Sequence, residues 1–229
     1  MWKIKSPLLL LVLVTLCSAA AAETNFVPPE HIDLTKILAP APTRGSDQEK
    51  RDIAEILATQ KSRTPRQSER ALADATAGIF GFADVLGPNF NEQRVPSVAA
   101  LLGKARADAV AAVGAAKAVW NRQRPYAVSS EVQTLGDRPE SSSYPSDAST
   151  VGYLTAILLA DMVPEKAPAL YARGREFGDD RVILSIHFPS DVEAGRMAAT
   201  AIANALLQDA AFVREFSAAK SELRLALGL

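Results

Sequence analysis

Residues Ser97 to Asn121 read SVAALLGKARADAVAAVGAAKAVWN, and this stretch decides the fold. It is rich in alanine, and its apolar residues recur at helical spacing, so it predicts one long helix. Pro125 should end that helix, because the residue before a proline is pushed out of the helical region. The pattern repeats on both sides. Upstream, Ser46 or Asp47 caps a helix through Ile53, Ile56 and Leu57. Thr64-Pro65 opens another, through about Phe80, and Gly87-Pro88-Asn89 is a break. Downstream, residues 126 to 145 are polar and turn-rich, a length of irregular chain that is often functional. Ser146 then opens an apolar helix through about Met162, and Pro164-Glu165 starts one reaching roughly Ile186. Ser190-x-x-Glu193 reads as a capping box for a helix to about Gln208, followed by an amphipathic helix over 211–227. No strand pattern survives. The expectation is an all-α, single-domain helical bundle over 46–229.

Composition agrees. The 229 residues suffice for one sizeable core, 48% are apolar, and only 6% are aromatic, so the core is built from Leu, Ala, Val and Ile. Charge is nearly balanced, 25 basic residues against 26 acidic, with no basic stripe interleaved with aromatics, which excludes nucleic acid as a partner. Residues 1–22 read as an export signal: Lys3 and Lys5, the apolar run Leu8 to Leu16, and a small-residue cleavage site near Ala22. That apolar run is too short to span a bilayer. The only cysteine, Cys17, falls inside it, so the mature chain is expected to lack thiols and disulfides. Periplasmic localisation follows, with no membrane contact after signal removal. Residues 23–45, with Pro28-Pro29, Pro40 and Pro42, read as an extended arm anchored by Ile32, Leu34, Ile37 and Leu38. His31 belongs to this arm and is assigned no role.

Chemistry concentrates at three places. Lys117 and Arg124 are seven residues apart, nearly two helical turns, which puts both on one face about 10 Å apart along the axis. Ser146 stands at a helix start, where free N–H groups and the helix dipole favour anions. Arg181 precedes His187 by six residues, and Asp191 follows it by four, in the first turn of the next helix. A carboxylate there accepts one imidazole N–H, fixes the tautomer and leaves the other nitrogen free to attack phosphorus. Each piece alone has a plainer meaning: solvated charges, an ordinary N-cap, a buried His bonded to an Asp.

Together they form Lys117…Arg124-Pro125, then Pro145-Ser146-Asp147-Ala148, then Asp180-Arg181…His187…Asp191. This resembles the three-part signature of the type 2 phosphatidic acid phosphatase and vanadium haloperoxidase superfamily: Lys-x6-Arg-Pro, Pro-Ser-Gly-His and Ser-Arg-x5-His-x3-Asp. Within it the chain is most similar to the bacterial class A non-specific acid phosphatases, which are exported and all-helical. Ser143-Tyr144, Gly152 and the run from Asp191 to Arg196 also look like that family. The resemblance implies that Lys117, Arg124 and Arg181 clamp the phosphoryl oxygens. Ser146 and the backbone N–H of Asp147 add neutral donors, His187 is the nucleophile, and Asp191 orients it. No cofactor and no metal are called for, the substrates are small-molecule phosphate esters, and self-association is left open.

The chain departs from the signature at three positions. Ala148 stands where the family has the His that protonates the leaving oxygen, Asp147 replaces its Gly, and Asp180 replaces its Ser. Loss of a general acid costs about 10²–10⁴ in rate. Either Asp147 takes over as acid, or esters with good leaving groups need none. The expected function is therefore an acid phosphatase working through a phosphohistidine, impaired by the loss of that His. The alternative is a non-catalytic phosphate-binding or interaction protein on the same fold.

Overall fold

A computed structural model describes residues 26–28 and 31–229. The export signal, its cleavage site near Ala22 and Cys17 lie outside the described residues. In chain order the helices are α1 (Leu34–Ile37), α2 (Asp47–Ser62), α3 (Pro65–Asp74), α4 (Ala83–Leu86), α5 (Pro96–Trp120), α6 (Pro125–Val128), α7 (Asp147–Met162), α8 (Ala167–Ile183), α9 (Pro189–Leu206) and α10 (Ala210–Leu227). Short 3₁₀ segments cover Gly78–Phe82 and Pro164–Lys166. The described residues contain no strand, and the fold is all-α. None of their helices is long and apolar enough to cross a membrane.

The starts obey local chemistry. Ser46 caps α2 by accepting the Glu49 N–H, and Thr64 and Gln67 form a reciprocal capping box on α3 with Pro65 at its first position. Such caps each contribute about 1 kcal/mol. The α5–α7–α9–α10 core is aliphatic, with Leu101, Leu102, Leu154, Leu158, Leu159 and Ile202 fully enclosed. Helices α7, α8 and α9 approach closely because glycine leaves room. A Cβ on Gly174 of α8 would fall 2.4 Å from that of Ala156 on α7, and one on Gly195 of α9 would fall 2.8 Å from the Ser146 carbonyl oxygen. The N-terminal arm lies on this body. Phe26 and Val27 donate their N–H groups to Asp108 at 2.9 and 3.1 Å, and Val27, Ile32, Leu34 and Leu38 are buried. Ile37 is not an anchor; it is 49% exposed.

Several ends differ from the sequence expectation. The long helix stops at Trp120, because Asn121 adopts a left-handed conformation (φ 44°), which Asn tolerates better than most residues. Pro125 therefore does not end α5; it opens α6. Arg124 lies beyond α5, so Lys117 and Arg124 do not share a continuous helical face. Helix α3 ends at Asp74 rather than near Phe80, and a positive φ at Gly78 separates it from the 3₁₀ segment. Helix α8 ends at Ile183 rather than Ile186. Ser185 takes φ 58°, and the bonds Ile186 N–H to Arg181 O (3.1 Å) and Ser185 N–H to Val182 O (2.9 Å) form a Schellman stop without glycine. Finally, Ser190 and Glu193 do not box α9. Its N-cap is Phe188, whose N–H donates to Asp191, while Glu193 pairs with Arg196 at 3.0 Å.

Candidate active site

The Schellman turn sets the site, because it turns the chain abruptly between α8 and α9 and brings His187 over Asp191. His187 Nδ1 is 3.2 Å from Asp191 Oδ2, and its Nε2 is 3.0 Å from an Arg124 guanidinium nitrogen. A guanidinium only donates, so Nε2 is the acceptor and Nδ1 carries the hydrogen given to Asp191. This is the tautomer that leaves Nε2 with its lone pair. Burial holds the imidazole below its usual pKa; Asp191 opposes that, and the charges of Arg124 and Lys117 reinforce it. His187 is thus held neutral.

Asp191 is fully buried and accepts from four donors. Oδ2 receives the Ser143 hydroxyl at 2.5 Å, the Phe188 N–H at 2.9 Å and His187, while Oδ1 receives Arg122 at 2.6 Å. Burial pushes its carboxyl upward, but the hydrogen bond from His187, the charge of Arg122 and the Ser143 hydroxyl hold it below the usual carboxylate range. The Asp191 carbonyl accepts the Ser146 N–H at 3.0 Å, tying α9 to the start of α7.

Lys117, in the last turn of α5, and Arg124, beyond it, converge on residues 141–142 in spite of the break between them. Lys117 Nζ donates to the Ser142 carbonyl at 2.7 Å, and Arg124 reaches the carbonyls of Ser141 (2.8 Å), Ile186 (2.9 Å) and Ser142 (3.5 Å). Both cations are buried and their pKa values are lowered by desolvation, opposed for Lys117 chiefly by Asp147. Arg124 lines a groove of about 510 Å³ with Tyr126, Arg138 and Ser142.

The α7 end is arranged differently. Ser146 Oγ accepts the Ser149 N–H at 3.3 Å, so the hydroxyl is an N-cap. Asp147 turns into the site: its carboxylate lies 2.7 Å from Lys117 Nζ, while its side chain stays 41% exposed. Ala148 and Asp147 border a largely apolar cavity of about 230 Å³ shared with Phe82, Val151 and Phe177.

Arg181 is joined to the others by backbone alone. Its carbonyl accepts the N–H groups of Ile186 and His187, and its Nε donates to Phe177 O at 3.3 Å. Among the described residues its buried Nη2 has no partner. Burial lowers its pKa, and the charges of Asp180 and Asp74 oppose that. Asp180 is pushed up to about 7, first by burial and then by the hydrogen bond and charge of Asp74, which Arg173 grips at 2.5 and 2.7 Å. Of the residues expected from sequence, the structure therefore pairs Lys117 with Asp147, joins Arg124, His187 and Asp191, brings the two groups together at the Ser142 carbonyl, and links Ser146 through the backbone. It leaves the Arg181 tip beside the carboxyl pair.

Three site residues escaped sequence reasoning: Arg122, Asp52 and Ser143 in its role as donor to Asp191. Arg122, two positions before Arg124, looks like one more solvated charge, and Asp52 sits 139 residues before Asp191 with no motif to mark it. Only packing reveals them.

Comparison with known proteins identifies the family. A family model described as PAP2 superfamily matches residues 97–214. An acid phosphatase of Zymomonas mobilis subsp. mobilis is 32% identical over 201 residues, covering 84% of this chain and 76% of the relative. A non-specific acid phosphatase of Providencia stuartii is 30% identical over 157 residues, covering 66% of this chain and 63% of the relative. One from Salmonella typhimurium is 34% identical over 123 residues, covering 50% and 48%. With more than half of its length matched by the family model and a relative aligned over most of both chains, the chain belongs to the PAP2 superfamily.

Proposed function

We propose that the chain is an acid phosphatase that hydrolyses small phosphomonoesters through a phosphohistidine on His187. One observation carries this reading: a buried, neutral imidazole donates Nδ1–H to Asp191, and its Nε2 lone pair accepts from Arg124, a donor that turns to a phosphoryl oxygen as Nε2 attacks. In the first step Nε2 bonds to phosphorus, the ester P–O bond breaks, and the leaving oxygen departs with its electron pair. Arg124, Lys117 and the N–H groups that open α7 neutralise the equatorial oxygens, which is most of what phosphoryl transfer asks of a protein. In the second step water attacks phosphorus, the P–N bond breaks, and inorganic phosphate and neutral His187 are restored. Ala148 brings no proton to the leaving oxygen, so that proton comes from solvent and esters of acidic alcohols are favoured. Arg181 joins the clamp once its guanidinium swings from the Asp74–Asp180 side. No metal takes part. Export to the periplasm, with cleavage near Ala22, and action free of membrane and nucleic acid complete the proposal.

The test is hydrolysis of para-nitrophenyl phosphate from pH 4 to 8 by the mature chain, with acid-labile phosphate trapped on the protein by rapid quench. His187→Asn should abolish both the label and the turnover. Turnover that survives in His187→Asn overturns the reading. A second reading, phosphate binding without turnover, is favoured by Ala148, a methyl group beside the cations where the reaction would need a proton donor. Phosphate titration with no hydrolysis of any aryl ester would select it.

A further inference from the structure

The buried carboxylate that orients His187 has a second cation on its far side. Arg122 is 6% exposed and comes from the segment between α5 and α6. One of its terminal nitrogens donates to Asp191 Oδ1 at 2.6 Å and to Ser190 Oγ at 2.7 Å; the other donates to Asp52 Oδ2 at 3.0 Å. Its guanidinium lies 3.9 Å from the centroid of the Phe188 ring, which fixes its plane. Asp52, on α2, is 2% exposed and also accepts the Ser190 hydroxyl and Gln48 Nε2 at 2.9 Å. A continuous buried chain therefore runs Asp52, Arg122, Asp191, His187.

Charge accounting gives this chain a purpose. A fully enclosed carboxylate requires a cation or a proton. Asp191 has two sources of positive charge: Arg122 at Oδ1, or a protonated His187 at Oδ2. If His187 supplied the charge, its Nε2 would carry a hydrogen and could not attack phosphorus. We infer that Arg122 is a positioning residue, the counter-ion that satisfies Asp191 so that His187 faces the phosphoryl group as a neutral imidazole, and that Asp52 sets how much of that positive charge Asp191 receives. The inference rests on His187 being the nucleophile only for its consequence in catalysis; the control of the imidazole stands by itself.

The other charged or titratable groups facing the pair are Lys117 from α5, Arg124 before α6, and Tyr144 and Asp147 around the start of α7. Lys117 and Arg124 both disfavour the imidazolium. Tyr144 is pushed up to about 12 by burial and by the Asp191 charge, so it stays a neutral phenol. None of these replaces the bond from Arg122 to Oδ1.

The chain contains only His31 and His187, so ¹⁵N-histidine NMR reads the tautomer and the titration of His187 directly in the mature protein. Arg122→Gln should raise the His187 midpoint by about one pH unit, because Asp191 then recruits the imidazolium. Arg122→Lys should restore most of the original value. Asp52→Asn should move it the opposite way, downward, because Arg122 is then shared with one carboxylate fewer. Two substitutions in one network with opposite signs are not what loosened packing produces. The inference is overturned if Arg122→Gln leaves the midpoint and tautomer unchanged, or if Asp52→Asn raises the midpoint. Should Arg122→Gln not fold, the sign of the Asp52→Asn shift decides alone. In para-nitrophenyl phosphate hydrolysis the acid limb of the pH profile should follow each NMR midpoint. Midpoints that move while that limb stays put would leave Arg122 in place and sink His187 as nucleophile.

Discussion

The two halves of the site are built to different standards. Around His187 and Asp191 the carboxylate accepts four donors, both imidazole nitrogens are engaged, and α2, the α5–α6 segment and α9 all contribute. Around the start of α7 a methyl group stands at position 148, and the nearby Lys117 is held by a carboxylate on the protein itself. The nucleophilic half is preorganised, whereas the half that faces the leaving group has no acid and carries an internal anion. Phosphoryl transfer needs both, so under the proposed mechanism a shortfall in turnover is expected to arise at Asp147 and Ala148 rather than at His187.

The sharpest way to break this contrast is to rebuild the poorer half. Asp147→Gly combined with Ala148→His restores an imidazole at the mouth of the apolar cavity and removes the anion from Lys117. Hydrolysis of alkyl phosphomonoesters should rise by about 10²–10⁴. The gain should be much smaller for para-nitrophenyl phosphate, whose leaving group needs no acid. Equal gains on both ester types would mean that proton supply is not what the α7 end lacks.

The same contrast explains what could be read from the sequence. The length and composition of the Ser97–Asn121 stretch announced α5 to within a residue at each end, and Ser146 fixed α7, because periodicity and capping act over a few residues. What stops a helix by one backbone torsion was harder to read: Asn121 rather than Pro125 ends α5, and Ser185, whose positive φ its residue type does not announce, ends α8 earlier than expected. His187 and Asp191 were legible because four residues separate them across one turn. Arg122 and Asp52 were not, since their meaning arises only where α2 packs beside the α8–α9 turn. Arg181 is the opposite case: the resemblance implies a place in the clamp, and a buried carboxyl pair from α3 and α8 acts on its charge.

The join between the halves can be tested next. Gly195 lets α9 lie against the first turn of α7, where the Ser146 N–H meets the Asp191 carbonyl. Gly195→Ala places a methyl 2.8 Å from the Ser146 carbonyl oxygen, so the helices must part. Denaturant melts should show a loss of roughly 1–3 kcal/mol, and turnover should fall with it because Asp191 moves with the backbone. Unchanged turnover would show that the halves are not mechanically coupled.

The carboxyl pair beside Arg181 offers a smaller and pH-dependent effect. Asp180 holds its proton up to about 7 in the folded chain, well above an unfolded Asp. The native state thus binds the extra proton, and the stability linked to it is present at low pH and lost as pH rises from about 4 through 7. Asp180→Asn keeps the shape and has no such titration. Its melting temperature should match the parent near pH 4 and exceed it by several degrees at pH 8, at about 2–4 °C per kcal/mol for a chain of this size. Parallel curves would mean that Asp180 does not share a proton with Asp74.

The least expensive intervention touches only the anion on Lys117. Asp147 is partly exposed, so solvent screens its pairing and removing it is worth little in stability, about 0.2–1 kcal/mol. For phosphate the change has two consequences of opposite sign. Asp147→Asn frees the ammonium and removes repulsion, so phosphate should bind about 3–10-fold more tightly near pH 5. But Asp147 is also the main influence holding the Lys117 pKa up against burial, so without it Lys117 loses its proton at lower pH. The alkaline limit of phosphate binding should therefore shift downward in the same variant, and the two affinity curves should cross. Calorimetric titration at several pH values reads this directly. Curves that stay parallel would place Lys117 outside the anion site, whereas a crossing would make Asp147 the residue that exchanges affinity at acid pH for a cation that persists as the medium turns alkaline.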